Sequence, residues 1–178
     1  MYITSQWASF VFCGAMFATF GVIPAHAGDT ADINITATVI VRTCTPDWNS
    51  TKDVPLGSVD GSGKKGQDNI ASKDFTLDLK DCTGVSKVKV TAKGTPDSKD
   101  VTAFKNAATD TAASGVAVYL LGGPQTNTRL DPDGNTAAEY SVTDNAVSMG
   151  FKAVLEGNGD NIVAGAVKVP VTLSMVYE

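Results

Sequence analysis

Few side chains in this sequence could do covalent or metal chemistry. Its thiols are Cys13, Cys44 and Cys82, and its one imidazole is His26. Cys13 and His26 lie among the first 27 residues, which read as a leader. Residues 8–23 are apolar apart from Ser9, Thr19 and small residues, and Pro24-Ala25-His26-Ala27 follows with the small-x-small pattern of a signal-peptidase site. The run falls short of the ~20 apolar residues of a comfortable membrane span. Residues 1–7 contain no Lys or Arg, a departure from the usual positive leader. We expect residues 1–27 to be a cleaved signal peptide. His26 then leaves with it, which excludes a Ser-His-Asp triad, a Cys-His pair and a His-containing zinc site. No enzyme, no cofactor and no small-molecule substrate are expected.

Cys44 and Cys82 stay behind, an even pair in a chain bound for an oxidising compartment. A disulfide is the natural reading. It would close a loop of roughly 38 residues, for which the chain-entropy estimate is roughly 4 kcal/mol. Asp131-Pro132-Asp133-Gly134 has the beginning of a calcium loop. It lacks the further oxygen ligands and the closing Glu, so it reads as a turn and no metal site is expected. The formal charge of −5 argues against nucleic acid and anionic membranes as partners.

The elements that would carry these residues read as β throughout, with Gly, Pro, Asn and Asp as punctuation. Residues 33–41 alternate, with Ile33, Ile35, Ala37, Val39 and Val41 on one face. Residues 45–73 look like loop, interrupted by a short β segment at 54–56. Strands are expected at 75–82, 85–93, 115–121 and 146–155; the run 115–121 is continuously apolar, as for a strand buried on both sides. Residues 107–113 read as a helical turn or loop, and 156–161 as a turn. The last strand, 167–177, places Val167, Val169, Val171, Leu173, Met175 and Tyr177 at strict period two, with Pro170 in its middle. Several short strands with turns between them suggest a one-domain sandwich.

Taken together, these features resemble the pilin subunits of the chaperone–usher pathway, those of type 1 and P pili, over the whole of 28–178. Cys44 and Cys82 stand where that family places its first disulfide. Tyr177 is the penultimate residue, and Gly165 is the fourteenth from the end, the family's tyrosine and glycine positions. Residues 114–121 resemble its central strand. The resemblance implies an all-β, incomplete immunoglobulin-like sandwich that lacks its last strand. A donor strand from a periplasmic chaperone, and then from a neighbouring subunit, would complete it; chaperone–pilin complementation is an established instance of strand addition. It further implies a donor extension at 28–41 that inserts Ala31, Ile33, Ile35, Ala37 and Val39, and a pilin domain at 42–178. The accepting edge would carry Gly165, Val167, Val169, Val171, Leu173, Met175 and Tyr177. Ala37, seven residues before Cys44, stands where the family has glycine. The implied partners are a periplasmic chaperone, an outer-membrane usher and neighbouring subunits. The implied route is export through the periplasm to a cell-surface fimbria. Two alternatives remain open on the residues alone. A complete β-sandwich adhesin or binding module would be a stable monomer. A carboxylate-only enzyme would show a clustered Asp or Glu pair with perturbed pKa values.

Overall fold

The structure, a computed structural model, describes residues 36–39, 41–64 and 69–178. The expected donor residues Ala31, Ile33 and Ile35 lie outside the described residues, as does the expected leader. All the strands belong to the unit Thr38–Glu178. In chain order they are β1 (Thr43–Pro46), β2 (Asn69–Thr83), β3 (Lys87–Lys93), β4 (Phe104–Lys105), β5 (Val116–Gly122), β6 (Thr128–Leu130), β7 (Asp133–Ser141), β8 (Val147–Gly157) and β9 (Thr172–Tyr177). No helix occurs among the described residues.

Two sheets result. The larger has the order β1-β2-β8-β5-β4, with β6 also pairing β5, and the smaller has the order β7-β3-β9. Alternation decides which face of each strand turns inward. In β3, Val88, Val90 and Ala92 are buried, whereas Lys87, Lys89 and Thr91 face out. In β8, Val147, Met149 and Phe151 are buried between the sheets. Phe151 stacks on Phe75 with ring centroids 5.4 Å apart and meets Tyr140 of the other sheet at 5.6 Å. Burying such a ring is worth roughly 1.5–3 kcal/mol. The Tyr140 hydroxyl donates to the Gly150 carbonyl at 2.6 Å and accepts the Gly123 N–H at 2.7 Å. Burial raises its pKa, the Gly123 bond opposing. One side chain thus joins β7 to β8 and to the turn after β5. The Cys44–Cys82 disulfide is formed and ties β1 to the end of β2.

Several expectations need correction. β2 starts at Asn69, so 69–73 is strand and not loop; opposite β8 these residues complete the ladder that Phe75 and Leu77 begin. Residues 54–56 form no strand. Of the expected strand 33–41 only 36–39 and 41 are described, so it is left untested; these residues are in no strand, and Val39 is 88 % exposed. β7 escaped the sequence reading because its apolar content is only Ala137, Ala138 and Tyr140. Residues 107–113 are loop. The 131–134 turn is as expected: the Gly134 N–H donates to the Asp131 carbonyl at 3.2 Å, with Gly134 at φ +81°. The last strand is shorter than expected. β9 covers only Thr172–Tyr177, and the stretch from Val167 to Val171 leaves the ladder because Pro170 has no N–H to give it.

Candidate functional site

The candidate site is a long groove beside β9. Among the described residues β9 has a partner on one side only, β3. The period-two apolar face of 167–177 turns inward yet stays incompletely covered: Val169, Val171, Leu173, Met175 and Tyr177 pack against the core while remaining half-exposed, and Val167 is exposed. Beside them lies a cavity of about 1810 Å³. Its floor comes from the larger sheet, from Phe75 and Leu77 of β2, Val118 and Leu120 of β5, and Ala153 and Leu155 of β8. One rim is 163–175. The other is the coil 50–64, whose Val54 and Leu56 point their half-buried side chains toward the apolar interior. Sequence reading missed that rim, since two apolar residues at spacing two give no more than a fragment of a strand pattern.

Hydrogen-bond parity identifies what the rim offers. The Glu178 N–H donates to the Lys87 carbonyl at 2.9 Å and the Lys87 N–H to the Glu178 carbonyl at 3.1 Å, so this pair exchanges both bonds. In an antiparallel ladder every second pair does so. Val176, Ser174 and Thr172, opposite Lys89, Thr91 and Lys93, therefore spend their backbone groups on β3. Those of Leu173, Met175 and Tyr177 point to the open edge. Pro170 belongs to the even set, so its missing N–H falls on the side away from the groove. The proline breaks the ladder to the smaller sheet and leaves the open edge intact.

Six of the seven expected edge residues, Gly165, Val167, Val169, Val171, Leu173 and Met175, line the groove, and Tyr177 extends the same face. Gly165 is there because backbone crowds it: a Cβ at this position would run into the Thr111 carbonyl oxygen and the backbone of Ala112 and Ala113. Of the expected donor residues described, Ala37 and Val39 are exposed and in no strand. Cys44 and Cys82 lie outside the groove lining and act as a staple.

The carboxylates form one cluster. Arg129 Nη2 donates to Asp100 Oδ2 at 2.7 Å and to Glu156 Oε1 at 3.1 Å, and its guanidinium lies 4.4 Å from the centre of the Tyr119 ring. Glu156 is 2 % exposed, and burial raises its carboxyl pKa while Arg129 pulls it down. For Asp100 burial pulls upward, but bonds from Thr102 and the Arg129 charge outweigh it and the net shift is down. The pair satisfies the charge of a partly exposed arginine, and neither acid lines the groove. It ties the 97–102 loop to β6 and β8. Asp100 and Glu156 are thus the clustered, shifted pair that the carboxylate-enzyme alternative expected, and Arg129 engages both of them.

The profile of the family described as fimbrial protein matches residues 33–178. A probable fimbrial subunit, LpfE of Escherichia coli O157:H7, is 26% identical over 171 residues, covering 96% of this chain and 92% of its own. Among solved structures, the P pilus rod subunit PapA superposes with a TM-score of 0.63 at 13% identity, over 76% of this chain and 99% of PapA. A subunit of a chaperone–usher pilus superposes with a TM-score of 0.64 at 15% identity, over 88% of this chain and 100% of that one. These likenesses give the fold, an incomplete immunoglobulin-like sandwich, and the one-sided β9 speaks against the complete-sandwich alternative. With its profile matched from residue 33 to the C-terminus, the chain belongs to the fimbrial protein family and is a structural subunit of a surface fimbria.

Proposed function

We propose that this subunit polymerises by donor-strand exchange, with its groove taking residues 28–41 of a neighbouring subunit as the missing strand. The observation that carries the reading is an open apolar groove of about 1810 Å³ beside a strand paired on one side only. Such an edge is an aggregation hazard unless something covers it. An incoming strand would meet the free backbone groups of Leu173, Met175 and Tyr177. Its alternate side chains, Ala31, Ile33, Ile35, Ala37 and Val39, would fill the space above Phe75, Leu77, Val118 and Leu120. Each buried Ile or Val adds roughly 1.5–3 kcal/mol, an upper range where the groove is already partly dry. Before assembly the same edge would need a temporary strand, the role of a periplasmic chaperone, and an outer-membrane usher would be the place of exchange. On this reading residues 1–27 are a cleaved leader and 42–178 the accepting domain.

The test is assembly itself. Ile35→Asp puts a charge on the inserted face of the extension and leaves 42–178 untouched. Subunits carrying it should fold with a chaperone and accept a wild-type neighbour's strand, yet fail to donate, so chains end at them. Normal fibre length with Ile35→Asp would sink the proposal.

A further inference from the structure

We infer that Asn106 is a positioning residue that extends the accepting edge beyond Pro170. This rests on the strand-accepting reading and adds what holds the far half of the edge in place. β9 is held straight by β3 only from Thr172 onward. Residues 165–171 have no strand neighbour, yet they line the groove and keep the alternation of half-buried Val169 and Val171 with exposed Lys168 and Pro170. Something must keep them extended.

The 106–114 loop does this, through a side chain that acts as a strand would. Asn106 Nδ2 donates to the Ala166 carbonyl at 2.9 Å, and Asn106 Oδ1 accepts the Lys168 N–H at 2.9 Å. These are the backbone groups of two even residues, the set that β3 serves further along. The same amide fixes its own loop, donating to the Ala113 carbonyl at 2.9 Å and accepting the Ala108 N–H at 3.1 Å. Backbone bonds flank the clip: Ala107 N–H to the Lys168 carbonyl at 2.8 Å, Ala166 N–H to the Thr111 carbonyl at 2.7 Å and Ala113 N–H to the Ala166 carbonyl at 2.9 Å. A side-chain amide carries both donors and an acceptor, so it can replace a peptide unit where proline has interrupted one. Two of its bonds reach 60 and 62 residues along the chain. With the even residues held from this side, Val167, Val169 and Val171 turn their backbone groups to the groove in phase with Leu173, Met175 and Tyr177. The accepting edge then continues through two supports, β3 and the Asn106 clip.

The experiment uses the full exported chain, wild type and with Asn106→Ala or Asn106→Asp, and synthetic peptides with the sequence of residues 29–41. One peptide is full length, and two others are shortened by a few residues at one end or the other. Release rates are measured by displacement. In the wild type the full peptide should outlast both shortened ones. Asn106→Ala should speed its release about tenfold, as expected for losing one or two net hydrogen bonds at the edge. It should leave unchanged the peptide that lacks the end lying over 165–168. Asn106→Asp keeps the acceptor for the Lys168 N–H and loses both donors, so it should fall between, which also guards against an alanine variant that folds poorly. Hydrogen exchange should show the Lys168 amide deprotected in Asn106→Ala and protected in Asn106→Asp. Unchanged release of the full peptide, or equal acceleration of all three, would overturn the inference while leaving strand acceptance standing. If the wild-type chain binds no peptide, strand acceptance falls and the inference with it.

Discussion

β8 and β9 are both amphipathic strands with strict alternation, and the protein treats them differently. In β8, Met149 and Phe151 have no exposed surface, with β2 on one flank and β5 on the other. In β9, Leu173 and Met175 are as apolar and as regularly spaced, yet half-exposed beside an open groove with a partner on one flank. A period-two pattern states which face a strand wants covered. Whether this chain or another one covers it depends on how many strands the chain supplies.

The sharpest way to press on that difference is to remove one large side chain from each strand. Phe151→Ala should destabilise the free subunit by roughly 3–5 kcal/mol, as for a closed aromatic core site. Leu173→Ala should lose under about 1.5 kcal/mol in the free subunit, because the side chain is only half-buried and there is little closed packing to undo. With the groove filled the Leu173→Ala loss should grow, and the Phe151→Ala loss should not. Urea unfolding with and without donor peptide measures both. Equal losses in the free state would mean that β9 is already covered.

Next in size is the staple. Replacing Cys44 and Cys82 together by Ser should cost roughly 4 kcal/mol in the chain-entropy estimate. Because the bridge joins β1 to β2 outside the groove, the loss should be the same with the groove filled or empty. A loss that depends on donor peptide would show that the staple shapes the groove. Tyr140→Phe should cost roughly 1–3 kcal/mol, since the buried Gly123 N–H and Gly150 carbonyl both lose their partner. That loss too should be indifferent to the donor, because the bonds join β7 to β8 away from β9.

The smallest expected effect concerns pH. Burial raises the Glu156 carboxyl above its unfolded value, with Arg129 opposing. The folded state therefore binds this proton more tightly than the unfolded chain. Its contribution is complete below the unfolded value of about 4.3 and is lost as pH rises through the folded one. Asp100, shifted down, works in the opposite sense and loses its contribution as pH falls through its folded value. Glu156→Gln mimics the neutral acid, so its urea midpoint should exceed the wild type's at pH 7.5 and converge on it below about pH 4. A variant weaker than wild type at pH 7.5 would mean that Arg129 holds Glu156 firmly as the anion.

Much of this was legible in the residues, for definable reasons. The Cys pair is the one even pair left after the leader and forms its disulfide, and β3, β5 and β8 carry dense alternation or long apolar runs. β7 was not legible, because Asp133, Asn135, Thr136, Glu139 and Ser141 outnumber its three apolar residues and its inward contacts rest on Ala138 and Tyr140. The rim at 50–64 was illegible because coil can line a groove without any period. Pro170 in the sequence marks a break in the pairing of the last strand without saying on which side. Only the parity of the hydrogen bonds, fixed by Glu178 and Lys87, places its missing N–H on the harmless side. The Asn106 clip could not be foreseen, since its partners lie some 60 residues away.

The most direct test of the central claim takes the chain with and without residues 28–41 and adds a soluble peptide of residues 29–41 in trans, with the disulfide intact. Thermal unfolding and size-exclusion chromatography are the readouts. The account predicts that the truncated protein is unstable or self-associates, and that the peptide raises its Tm sharply and returns it to a monomer. A truncated chain that is a stable monomer and ignores the peptide would contradict it.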